Sequence, residues 1–150
     1  GGSAADSQHI AGELVSRFYF DRPGLASIAL TTDSSILTAI GNDYGYENWV
    51  AKALEFYADK GDLVILISSS GSSQNMLNAV KTAKSMDLSI ITFTGFMKGN
   101  FLKKEGELNF WVDSKAYNII ENTHQIWLLM VCDLIIGKSE YPAVHLESPK

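Results

Sequence analysis

One stretch limits the fold more than any other: "DLVILISSSGSSQNM", residues 62 to 76. Its apolar run, Leu63 to Ile67, shows no alternation with polar residues. A strand apolar on both faces belongs in a parallel sheet covered by helices on both sides. The run breaks into serines and Gly71, and a helical pattern follows with Met76, Leu77, Val80 and Ala83 in phase. In an open parallel sheet, ligands bind beyond the carboxyl ends of the strands, which is where "SSSGSS" falls.

Further strands are expected at 25 to 30, 88 to 95 and 107 to 112. They alternate with helices at 3 to 20, 34 to 40, 46 to 58 and 116 to 137, and a short one at 98 to 104. Residues 41 to 45, "GNDYG", read as a turn, and "RPG" at 22 to 24 as a helix stop. Ser3 and Asp6 have the spacing of a capping box at the start of the first helix. The pattern is that of a three-layer α/β/α sandwich over 1 to 138, with a polar tail at 139 to 150. The opening "GGSAAD" reads as the middle of a loop, as if the chain began inside a domain.

Composition narrows the partners. Of 150 residues, 19% are charged, the net charge is −5 and no basic run occurs, which argues against nucleic acid or an acidic membrane. The apolar "IWLLMVC", 126 to 132, is too short to span a bilayer and leads into Asp133. With no signal peptide visible, a cytoplasmic protein is expected. The single cysteine, Cys132, excludes an intrachain disulfide.

The serine loop has the chemistry of a phosphate cradle. Helix starts present unpaired N–H groups and a partial positive potential. Ser68, Ser69, Ser70 and Ser73 add hydroxyls, and Gly71 lets the backbone curl. No lysine follows the glycine as in a nucleotide-triphosphate loop, and GxGxxG is absent, so no nucleotide cofactor is expected. "GGS" at 1 to 3 repeats the device before the first helix. His9 and Glu13, four apart, share a helix face and can meet one metal or one substrate carbon.

"GGSAADSQHIAGEL" (1 to 14), "IALTTDSSILTAIGNDYGYE" (28 to 47) and "ISSSGSSQNMLNAV" (67 to 80) together resemble the SIS (sugar isomerase) domain family. The likeness is greatest to its phosphoheptose isomerases. The resemblance implies a flavodoxin-like parallel sheet, with its first strand and amino-terminal helices absent from this chain. It implies a homo-oligomer, a tetramer by preference, with active sites between subunits. The reaction it implies is isomerisation of sedoheptulose 7-phosphate through an enediol. In this chain it assigns the base to Glu13 and phosphate or sugar contacts to Ser3, Arg17, Asn42, Asp43 and the four loop serines. It makes His9 a metal ligand.

This sequence departs from the family on the last helix. The family's glutamine falls on Glu121, its sugar-binding aspartate on Asn118, and a histidine that serves as acid/base on Leu129. Either His124 or Glu121 is then the replacement acid. His9, Glu13 and Glu121 form the expected ligand set for a divalent metal, zinc before nickel or manganese. Leu129 keeps a second reading open: a non-catalytic phosphosugar-binding or regulatory protein, of which the family has replication-initiator-binding examples.

Overall fold

The computed structural model describes residues 1–16, 24–137 and 139. Arg17, the "RPG" stop and the tail with its His145 lie outside the described residues. Among the described residues five α-helices are formed: α1 (Gly2–Val15), α2 (Ser34–Tyr44), α3 (Trp49–Tyr57), α4 (Gln74–Ser85) and α5 (Tyr117–Ile136). Three strands, β1 (Leu63–Ser68), β2 (Ser89–Thr94) and β3 (Leu108–Trp111), pair in parallel in the order β1-β2-β3.

The unbroken apolar run of β1 now has its explanation. Leu66, with Val64 beside it, packs into a core against α3 and α4 that includes Val50, Leu54, Val80 and Ala83. Ile65 and Ile67 point the other way, into a second core with Ile10 of α1 and Leu128 and Cys132 of α5. Alternate side chains of one strand thus serve two helical layers. On the second face Phe93 of β2 stacks on Phe110 of β3, with ring centroids 4.6 Å apart.

Three expectations change. Residues 25 to 30 form no strand: the Leu25 N–H donates to Leu14 O of α1 instead of pairing with β1, and Thr32 N–H closes a turn onto Ala29 O. A cavity of about 620 Å³ lies along this side, lined by Leu25, Ile28, Ile65 and Leu128 among others. The "GNDYG" turn is helical through Tyr44. Gly41 does not adopt a positive φ, so α2 runs through it and stops at Gly45, whose φ is 84°. The expected helix at 98 to 104 reduces to one 3₁₀ turn, Leu102–Lys104.

Helix α5 ends as expected, with Gly137 left-handed at φ 79°. This 20-residue helix is long and apolar enough to cross a membrane by length and composition, which the shorter run at 126 to 132 did not suggest. Here α5 buries Ile120, His124, Leu128 and Cys132 against the sheet.

Candidate active site

The serine loop joins the end of β1 to the start of α4. Ser68 and Ser69 are buried, and the Ser68 hydroxyl accepts from Gly71 N–H at 3.2 Å. Ser70 Oγ accepts from Ser72 N–H at 3.3 Å and lies 3.4 Å from Ser73 Oγ. Ser73 is the N-cap residue of α4, yet its side chain makes no capping bond, so its hydroxyl is left to the loop. Gly71 has a φ of 62°, and a β-carbon there would collide with Asn100. Asn100 is itself buried. Its amide donates to Thr94 Oγ1, Gly95 O and Met97 O, and its carbonyl accepts from Lys103 N–H. Gly95 N–H donates to Ser69 O, and Leu102 N–H to Gly71 O.

Helix α1 begins in the same place. Its N-cap is Gly1, whose carbonyl accepts from Ala4 and Ala5 N–H, so Ser3 is inside the helix and the capping box is not formed. Ser3 and the four loop serines line one cavity of about 400 Å³. The wall supplied by α5 contains Tyr117 and Glu121, and Asn75 of α4 also faces in. Glu121 lays its carboxyl against Gly2, where a β-carbon would clash with it.

Asp6, read from the sequence as a capping partner, is instead buried, and its Oδ2 has no hydrogen-bond partner. Burial first, then the charge of Glu121, push its carboxyl up to about 6, with His9 acting the other way. The signal was available: Asp6 and Ile10 are four apart on the buried face of α1. Asn100 and Asn75 were also missed. Nothing in "KGN" or "QNM" announces a buried clasp or a cavity-facing amide.

The SIS domain profile matches residues 1–95, more than half of the chain. The chain belongs to the SIS domain family. This SIS domain is 62% identical over 135 residues to phosphoheptose isomerase 2 of Campylobacter jejuni, an alignment covering 90% of this chain and 67% of the relative. It is 48% identical over 135 residues to phosphoheptose isomerase of Burkholderia pseudomallei, covering 90% and 68%. A phosphoheptose isomerase structure from Francisella tularensis superposes with a TM-score of 0.84 at 32% identity, covering 92% of this chain and 73% of that one. One from Neisseria gonorrhoeae gives 0.81 at 37%, covering 91% and 72%.

Asn42, Asp43, Asn118, His9 and Glu13 are not among the residues that line the cavity. Asn42 and Asp43 are exposed on α2, bonded to each other at 2.9 Å. Asn118 is exposed on the first turn of α5, where its backbone carbonyl accepts from the Asn122 amide. His9 and Glu13 meet on a solvent-facing part of α1, Nε2 to Oε1 at 3.6 Å, and Gln125 of α5 donates to His9 Nδ1. His9, Glu13 and Glu121 do not assemble as a metal set: among the described residues no group of three such ligands occurs.

His124 also needs correcting as an acid. It is fully buried and packs edge-on against Phe93. Its ring bonds Thr94 O through Nε2 at 3.1 Å, so Nε2 carries the proton, and Nδ1 has no partner. Desolvation holds its pKa below the usual histidine value, against the opposing pull of the Thr94 carbonyl and Glu121. Buried and bonded to a main-chain carbonyl, the imidazole is not part of the cavity lining.

Proposed function

We propose that this SIS domain isomerises a phosphosugar, sedoheptulose 7-phosphate to D-glycero-D-manno-heptose 7-phosphate. The observation that carries the reading is convergence: Ser3 of α1 and Ser68, Ser69, Ser70 and Ser73 of the β1–α4 loop line one cavity with the carboxylate of Glu121. Hydroxyls and helix-start amides suit a phosphate, and a carboxylate suits proton movement on the sugar it anchors. The relatives' name, phosphoheptose isomerase, supports a heptose phosphate as the substrate class.

In the proposed reaction a base takes the proton from C1 of the ketose. As the C2 carbonyl oxygen gains a proton the electrons form a 1,2-enediol, and a proton returned to C2 with loss of the O1 proton leaves the carbonyl on C1. Glu121 is the acid the cavity offers. Glu13 is the proposed base, and it lies outside the cavity lining of one chain. A second copy would bring such a residue to the sugar, and we propose a homo-oligomer, a tetramer by preference. Ile126, Met130 and Leu134, exposed at four-residue intervals on α5, support an interface. Arg17 and the exposed Asn42, Asp43 and Asn118 are proposed sugar or phosphate contacts from the family likeness alone. A zinc ion held by His9 and Glu13 with a ligand from elsewhere is a separate proposal, and no step above runs through it. A cytoplasmic location follows from a charged substrate that does not cross membranes unaided.

The test is turnover of sedoheptulose 7-phosphate in a coupled assay, with and without added divalent metals. Activity that disappears in Glu13→Gln supports the reading. No turnover under any metal condition overturns it, and binding without turnover would favour the regulatory alternative raised by Leu129.

A further inference from the structure

Tyr117 opens α5 and lines the serine cavity while remaining 60% exposed, so its ring stands on the solvent side of that wall. Four residues on, Glu121 lines the same cavity from the same helix face. The Tyr117 ring meets Phe96 edge to face, with centroids 5.0 Å apart and planes at 67°. Phe96 holds a positive φ of 52°, a conformation a bulky residue rarely keeps without a reason. Its N–H is tied to Ser114 O at 2.9 Å, and the preceding Gly95 donates to Ser69 O of the phosphate loop at 3.0 Å. Ile120, fully buried, packs on Gly95 so closely that a β-carbon there would clash. The aromatic pair and the serine cradle are therefore anchored to one strand end.

We propose that Tyr117 is a specificity-determining residue, reading the hydroxyls of the sugar chain that extends from the phosphate cradle. This rests on the phosphosugar reading. A phenol offers a donor, an acceptor and an apolar face to a polyol, and held by Phe96 it does so with little ordering cost. A short sugar phosphate gains less from this wall than a seven-carbon one.

The test measures binding of inorganic phosphate, ribulose 5-phosphate and sedoheptulose 7-phosphate to wild type, Tyr117→Phe and Tyr117→Ala by calorimetry, with turnover followed in parallel. Tyr117→Ala is expected to weaken the seven-carbon sugar about tenfold, Tyr117→Phe by less, and inorganic phosphate not at all. Should the alanine variant fold poorly, Tyr117→Phe alone must still lower the ratio of seven-carbon to five-carbon affinity. An unchanged ratio, or equal weakening of all three ligands, overturns the proposal even in an active enzyme. The selective loss without wild-type turnover would retain the role of Tyr117 and remove only the isomerase reading. Absence of any sugar-phosphate binding would remove both.

Discussion

The carboxyl of Glu121 rests against the α-carbon of Gly2, joining the last helix to the first residue of α1 at the cavity wall. A methyl group at position 2 would displace it. Gly2→Ala is expected to lower kcat by roughly 10- to 100-fold, the scale of a misplaced reacting group, and to leave inorganic phosphate binding intact. Unchanged turnover would count against a reaction that depends on Glu121 being held at this position.

Gly71 and Asn100 are expected to fail in different ways. Alanine at Gly71 must hold a left-handed backbone, costing about 1–2 kcal/mol, before the collision with Asn100 is counted. Asn100→Ala strips partners from buried carbonyls, costing about 1–3 kcal/mol. Denaturant unfolding measures both losses. Inorganic phosphate titration should show the cradle weakened in each variant, and stability lost without weakened phosphate binding would separate the clasp from the site.

Asp6 gives stability a pH dependence with a defined sign. Its carboxyl titrates near 3.8 ordinarily and near 6 in the fold. Between those values the folded chain keeps a proton that the unfolded chain has released. This contribution is present at low pH and is lost as pH rises through about 6. Asp6→Asn removes it, so the variant should gain stability relative to wild type as pH is raised from about 4 to 7. A constant difference across denaturant titrations in that range would contradict the shift.

For His124 the expectation is structural. Replacing it with alanine opens a space beside Phe93 and removes the donor to Thr94 O, a loss of about 2–4 kcal/mol on combining both effects. The conservative His124→Gln, which retains an amide donor, should keep the pH profile of kcat unchanged in the folded fraction. A profile that loses its alkaline limb would restore His124 as the acid.

The elements carried by their own residues were legible. β1 shows itself by an apolar run, α4 by periodicity and α5 by length and a closing glycine. Segment 25 to 30 was misread because strand formation is decided by a neighbour, and its first amide goes to Leu14. "GNDYG" misled because a glycine stops a helix only where it takes a positive φ, which Gly45 does and Gly41 does not. In the site, the serine loop was legible from hydroxyls placed between strand and helix. Asp6 was hidden behind a capping pattern, and His124 looked reactive because side-chain type says nothing about depth.

The two backbone bonds that fasten the serine loop, Gly95 N–H to Ser69 O and Leu102 N–H to Gly71 O, bear on the thermodynamics of occupancy. A floating loop must surrender its conformational freedom when an anion arrives, and that loss subtracts from affinity. Here the surrender has already taken place during folding. In the proposed phosphate complex, little of the anion's interaction with these hydroxyls and amides is diverted into immobilising the main chain.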